Sequence, residues 1–182
     1  AQDGAAEDRT VMRTLLPAAI PAGGSVTVGV KFTAVLPPSF RRSGAGGEGY
    51  LHAVQWFPKL GVFESRDGET AWNCLPYHYL TEFYADYGSY RVDLTLPDVY
   101  LAEGDPCVHC GLRLHPVGAS GSLMAEPENH GDGTATWRFR AEDVHDFAWT
   151  VDPEFLVFHQ VFRAEEEPWT RPAEEARVAA AL

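Results

Sequence analysis

Cys107 and Cys110 have the spacing of a site that does chemistry. A C-x-x-C pair can bind zinc, or it can cycle between two thiols and a disulfide. Structural zinc takes four ligands, and His109 and His115 are the nearby candidates to complete the set. A proline precedes the pair, whereas the redox motif normally starts a helix after a strand. Free thiols, a local disulfide and a weak metal site all stay open, and Cys74 adds no disulfide framework.

Two other groups of residues have the side chains of acid–base chemistry. Glu82 and Asp86 would share one face of a strand, and a carboxylate pair can act as acid and base in a cleft. His145 and Asp146 are adjacent, which suggests part of a catalytic triad. Neighbours on a strand point to opposite faces, however, so we do not expect these two to hydrogen-bond each other. We expect both segments to be structural, with Asp146 accepting hydrogen bonds from buried backbone N–H groups.

The sequence lacks the motif that binds the catalytic zinc ion of a zinc peptidase. The H-E-x-x-H motif needs a histidine followed by glutamate, and none of the seven histidines is followed by one. The sequence therefore predicts no catalytic residue and no cofactor within the chain.

Charge and hydropathy disfavour two classes of binding partner. The net charge is −12, and Arg41-Arg42 is only a pair, whereas phosphate backbones need clustered basic residues. No apolar run reaches the roughly 20 residues that span a bilayer. We therefore expect neither nucleic acid nor a membrane as partner, although cationic peptides could be weakly attracted. No secretory signal is visible, and both a cytoplasmic and an exported location remain open.

Period-two patterns indicate the strands that must position these groups. Alternating apolar residues predict strands over 26–36, 90–96 and 134–140, and the apolar run 155–162 predicts a central, doubly covered strand. Turn residues separate these runs, with hairpin-type loops at 66–68 and 129–133 and a glycine-rich loop at 43–49. This pattern favours an all-β fold, an antiparallel sandwich or saddle-shaped sheet. Pro172 then starts an Ala-rich helix, so the sequence predicts a β-rich domain over 1–163 and a linker with a short C-terminal helix over 164–182.

Four segments together resemble one protein family. They are Gln55-Trp56-Phe57-Pro58-Lys59, Thr81 to Gly88 (which includes Glu82-Phe83), Tyr90 to Pro97, and Ala141 to Trp149 with its Asp146-Phe147-Ala148-Trp149 end. Their order and spacing resemble the all-β N-terminal domain of the aminopeptidase N family of zinc metallopeptidases. The resemblance spans about residues 8 to 163 and implies that these motif residues are structural. It also implies that strands expected before Asp8 are absent, which would leave an open sheet edge able to pair with another chain.

The resemblance also implies where a substrate would lie. In the family, the segment shortly before the W-F-P turn reaches the substrate cleft and helps to hold the substrate's N-terminal residue. The matching positions here are Glu48, Gly49 and Tyr50, and the carboxylate of Glu48 could attract a peptide's α-ammonium group. Glu48 and Tyr50 are thus predicted at the rim of a cleft.

The function that follows is a supporting one. We expect a non-catalytic domain of an aminopeptidase-like enzyme, which packs on the catalytic domain of the same polypeptide and walls the cleft for a peptide substrate. Zinc is expected in that catalytic domain and not in this chain. The alternative is a free-standing β-sandwich module that binds peptide, carbohydrate or protein through exposed aromatic side chains such as Trp72, Tyr77, Tyr79 and Trp169.

Overall fold

Strands make up almost all of the regular structure of the chain. The computed structural model describes residues 10–38, 42–73, 84–101, 113–114 and 116–157. These ranges contain twelve strands, all paired antiparallel, and their helical structure is limited to two single 3-10 turns. The predicted antiparallel all-β fold is therefore confirmed, whereas the linker and helix predicted for 164–182 lie outside the described residues. No helix within these ranges is long and apolar enough to cross a membrane.

The longest strand pair forms the centre of one sheet. β5 (Gly88–Pro97) and β10 (Thr134–Val144) pair from Pro97 opposite Thr134 to Tyr90 opposite Ala141. A bulge then shifts the register before Val144, which lies opposite Gly88. On its other side β10 pairs with the short strands β8 (Ser122–Leu123) and β9 (Glu128–Asn129). Both long strands match the period-two patterns of the sequence.

A second sheet has the order β1-β2-β11-β7. Its strands are β1 (Gly44–Ala45), β2 (Leu51–Ala53), β7 (Val117–Ala119) and β11 (Trp149–Val151). The two sheets share one apolar core, formed by Leu94, Tyr100, Val117, Ala135, Trp137, Phe139, Ala141, Phe147 and Val151. Phe147 and Val151 have no measurable exposure. Because both sheets contribute side chains to this cluster, their burial against each other stabilises the fold.

Turn chemistry fixes the hairpin between β3 (Val62–Arg66) and β4 (Glu69–Asn73). Its two-residue loop, Asp67-Gly68, has φ of 54° and 84°. Positive φ at both positions is the requirement of the type I′ turn, whose twist matches the flanking strands. The loop predicted at 129–133 is also present, and it joins β9 to β10.

A short pair closes the described part of the chain. β6 (Arg113–Leu114) pairs with β12 (Leu156–Val157). The strand predicted over 155–162 is thus seen at its start, and residues from 158 onward lie outside the described ranges. Its interpretation as a central strand stays a prediction.

The predicted strand over 26–36 is wrong. These residues lie outside every strand of the structure. Val26, Val28, Val30 and Phe32 are 51%, 56%, 48% and 43% exposed, and no residue from 10 to 35 is buried or half-buried. The alternation of apolar side chains is real, but a strand also needs a partner for its backbone, and the described residues offer this segment none.

Candidate functional site

The motifs of the W-F-P turn and of β11 meet in one cluster. The indole N–H of Trp56 donates to the carbonyl of Phe147 over 2.9 Å. Lys59 and Asp146 form an ion pair, with 3.0 Å between Nζ and Oδ1 and side chains that are only 15% and 23% exposed. We call the set Trp56, Phe57, Lys59, Asp146, Phe147 and Trp149 the motif cluster.

Asp146 contacts both the backbone beside it and a distant side chain. Its carboxylate accepts a hydrogen bond from the backbone N–H of Phe147 at 2.8 Å, which is the backbone contact predicted. The ion pair with Lys59 was not predicted, because the two residues are far apart in the chain. Lys59 Nζ also lies 3.4 Å from the carbonyl of His145 and 5.8 Å from the ring centre of Phe57. The ammonium group therefore donates to two acceptors of the 145–146 segment, which joins that segment to the W-F-P turn, and it also lies over a ring of its own segment.

Aromatic rings extend the motif cluster in two directions. Trp56 contacts Phe57 and Trp149 edge-on, with ring centres 5.2 Å and 6.3 Å apart. Phe57 contacts Tyr90 of β5 at 5.8 Å, and Trp56 contacts Phe32 of the N-terminal segment at 6.1 Å. Edge-on and tilted pairs at such distances favour packing beyond simple burial. Trp56 and Phe57 therefore link the N-terminal segment to the core. Pro58, which follows them, is exposed.

Two polar atoms at this turn lack partners. Gln55 has a left-handed backbone with φ of 54°. Its Oε1 and the indole Nε1 of Trp149 are buried without a hydrogen bond among the described residues. The positive φ of Gln55, a conformation that non-glycine residues rarely adopt, marks local backbone strain at this turn that sequence patterns do not reveal.

His145 and Asp146 do not form a catalytic pair. His145 Nδ1 lies 2.9 Å from the carbonyl of Ala85, and its ring lies 3.8 Å from that of Tyr87. Asp146 instead binds Lys59. A triad needs the histidine to be oriented by its carboxylate, and here the two side chains have separate partners. The two residues lie between β10 and β11 and not in a strand, so the strand alternation used in the prediction does not apply to them.

The structure describes only one residue of the carboxylate pair Glu82 and Asp86. Glu82 and Phe83 lie outside the described residues, so their predicted roles stay predictions. Asp86 is exposed and accepts a hydrogen bond from the backbone N–H of Tyr87 at 2.8 Å. This is a local turn contact between neighbouring residues.

A different carboxylate, that of Glu64, is held by hydrogen bonds from two other side chains. Glu64 accepts hydrogen bonds from the hydroxyl of Tyr84 at 2.8 Å and the amide of Asn73 at 2.7 Å. The Tyr84 bond, followed by that of Asn73, lowers the pKa of Glu64, and the same contact raises the pKa of Tyr84. Sequence reasoning missed this group because Tyr84 contacts a strand 20 residues away.

The predicted cleft rim lies in a loop that a buried tyrosine holds. Glu48 is in the 3-10 turn Gly47–Gly49, and its side chain lies outside the described part of the structure. Tyr50 is half-buried and contacts Phe155 edge-on, with ring centres 6.2 Å apart. The hydroxyl of Tyr100 donates a hydrogen bond to the Gly49 carbonyl over 2.6 Å, and burial raises the pKa of Tyr100. The loop that would face a substrate is thus fixed by the core.

The last residue of this 3-10 turn, Gly49, cannot be replaced by a residue with a side chain without a close contact. Its φ is +95°, and a Cβ there would lie 3.2 Å from the Tyr100 hydroxyl and 3.3 Å from Pro153. Glycine alone combines that backbone with that close approach. The conformation of the loop is therefore set by sequence at this position.

The described residues were also compared with the requirements of a metal site. Within the described ranges, no group of three or more His, Cys, Asp and Glu side chains could hold a metal ion. Cys107 and Cys110 lie outside those ranges, so the disulfide and metal interpretations both stay predictions. A surface cavity of about 550 Å³ is lined by β10 and by residues 120–122 and 124, in and around β8, but its charged side chains, Arg140 and Glu142, bind each other.

Comparison with known proteins gave no relative. No protein-family model, no curated protein and no solved structure matches this chain. The resemblance to the aminopeptidase N family therefore remains a hypothesis that depends on the four motif segments and on what they do in the fold.

Proposed function

We propose that this chain is a non-catalytic β-domain of a zinc-dependent aminopeptidase, which packs on the catalytic domain and walls one side of its substrate cleft. The observation that carries this proposal is the motif cluster. Trp56-Phe57-Pro58-Lys59 and Asp146-Phe147-Ala148-Trp149 contact each other through the Trp56–Phe147 hydrogen bond and the Lys59–Asp146 ion pair.

Side chains used in this way are unavailable for catalysis. The carboxylate of Asp146 is neutralised by Lys59, and the indole of Trp56 is bonded to backbone. A general acid or base must instead be free to reach a substrate proton. The motifs that carry the family resemblance therefore serve to hold the domain in shape, which fits a wall and not a reaction centre.

The loop of Glu48 supplies the part of the wall that would meet a substrate. Tyr100 fixes this loop to the core through Gly49, and the carboxylate of Glu48 suits the positive α-ammonium group of a peptide. Zinc and its ligands would come from the catalytic domain, where zinc-activated water attacks the first peptide bond.

The gene tests the proposal directly. We expect the reading frame after Leu182 to encode H-E-x-x-H and a downstream glutamate within a few hundred residues. In the full-length protein, Glu48→Ala is expected to raise KM for unblocked peptides with a smaller change in kcat, and Glu48→Gln to have an intermediate effect. A stop codon soon after Leu182 would contradict the proposal.

An exposed aromatic pair favours the second candidate, a binding module. Phe63 and Trp72 face each other across the β3–β4 hairpin, with ring centres 5.0 Å apart and exposures of 58% and 56%. Flat exposed rings are typical of surfaces that bind peptide, sugar or protein. Tyr77, Tyr79 and Trp169, also proposed for such a surface, lie outside the described residues. A stop codon after Leu182, together with loss of ligand binding in Trp72→Ala, would favour this module.

A further inference from the structure

The long edge strand β5 and the N-terminal segment 27–36 both have unpaired backbone in the described part of the chain. β5 pairs with β10 on one side only, and no described strand lies on its other side. The N-terminal segment 27–36 is exposed over almost its whole length, and it pairs with no described strand. An unpaired edge with alternating apolar residues is a template for another chain.

We propose that residues 27–36 of one copy add as an antiparallel strand to the open edge of β5 in a second copy of this chain. The second copy returns the same contact, so each copy gives one strand and accepts one. Such an exchange is closed by a two-fold axis and leaves neither edge open. The proposal does not depend on the function proposed above.

One register matches the two edges over their full length. With Leu36 opposite Gly88 and Thr27 opposite Pro97, the ten residues of the segment cover the ten residues of β5. The apolar side chains then face each other on the core side of the sheet: Val28 with Leu96, Val30 with Leu94, Phe32 with Val92 and Ala34 with Tyr90. Cross-strand apolar pairs of this kind are what stabilise a sheet.

Charge selects this register over its neighbours. Lys31 falls opposite Asp93, whose carboxylate is 64% exposed. A shift by two residues would place Lys31 opposite Arg91 or Thr95, and so replace attraction by repulsion or by a neutral contact. A shift by one residue would turn every apolar side chain of the segment to solvent.

The structure also indicates why the partner is a second copy. Within its own chain, the segment lies against the W-F-P turn through Phe32, whose ring centre is 6.1 Å from that of Trp56. In that position it forms no ladder with its own β5. Pairing of the segment with itself across a two-fold axis at Lys31 would place two lysines opposite each other, which is unfavourable.

Sedimentation equilibrium in reducing buffer tests the exchange. We expect the purified chain to dimerise with a Kd below about 100 μM. The backbone groups of Arg91, Asp93 and Thr95 face the open edge, because the residues between them bond β10. Thr33→Pro removes the backbone donor that lies opposite Arg91, and we expect it to weaken the dimer by more than about tenfold. Thr33→Val keeps a β-branched residue and the donor, and it should retain the dimer. Thr33 lies in no strand of the monomer, so circular dichroism of the proline variant should match that of the wild type at concentrations where both are monomeric.

A charge exchange tests the register. Lys31→Glu and Asp93→Lys are each expected to weaken the dimer, and the double variant should recover most of the loss. Arg138, which pairs with Asp93 at 3.6 Å, keeps Glu128 at 2.6 Å in these variants. A wild-type chain that stays monomeric, a dimer indifferent to Thr33→Pro, or a double variant no better than the singles would each overturn the proposal.

Discussion

Lys59 and Asp146 form a largely buried ion pair that joins two segments distant in the chain. Removing one partner of such a pair leaves the other charge without compensation, which is more costly than the pair is worth. We therefore expect Lys59→Met to lower the free energy of unfolding by about 1–3 kcal/mol. Urea denaturation of the variant measures this loss.

An exposed ion pair supplies the control for Lys59. Arg140 and Glu142 are paired with side chains 45% and 59% exposed, and surface pairs contribute about 0–1 kcal/mol. Arg140→Met should therefore cost much less than Lys59→Met. In a double-mutant cycle, Lys59→Met combined with Asp146→Asn should cost less than the sum of the two changes. Equal costs at both sites would mean that the motif cluster is not held by its ion pair.

Glu64 gives a prediction for pH. The Tyr84 hydroxyl and the Asn73 amide lower the pKa of Glu64 in the folded chain. A lowered pKa stabilises the fold above the ordinary pKa of glutamate, and this stabilisation disappears as the pH falls through the folded-state pKa. Tyr84→Phe should raise the pKa of Glu64 toward its ordinary value, measured by NMR titration of the side-chain carboxyl. Phe63→Leu, on the same strand but without that hydrogen bond, should leave the titration unchanged.

At the scale of the element, the contact of β8 with β10 depends on a glycine. A Cβ on Gly121 would lie 2.5 Å from the backbone oxygen of Arg140. Gly121→Ala should therefore displace β8 and lower the free energy of unfolding by about 1–3 kcal/mol. Gly118 on β7 is the matched control, because a Cβ there would meet Thr150 at an ordinary 3.5 Å. Equal stability of the two alanine variants would contradict this packing.

The elements also show what a sequence can predict. Alternation identified β5 and β10, and Asp67-Gly68 identified the β3–β4 turn, because side-chain period and turn preferences are local properties. The same alternation predicted a strand over 26–36 where none exists, because pairing depends on a distant partner. The Lys59–Asp146 and Tyr100–Gly49 contacts were missed for the same reason, since they join segments that only the fold brings together.

At the scale of the whole molecule, the described chain has one core between two sheets and motif side chains that bind each other. Its net charge of −12 could weakly attract cationic peptides. The open edges at β5 and at 27–36 add a surface through which copies of the chain can join.

Release of amino acids from an unblocked peptide, assayed with and without added zinc, tests the central claim most directly. The assay compares the purified 182-residue chain with the product of the complete reading frame. We predict no release by the chain under either condition, and zinc-dependent release by the complete product. Zinc-dependent release by the 182-residue chain alone would contradict the account, because its motif residues would then have to do chemistry.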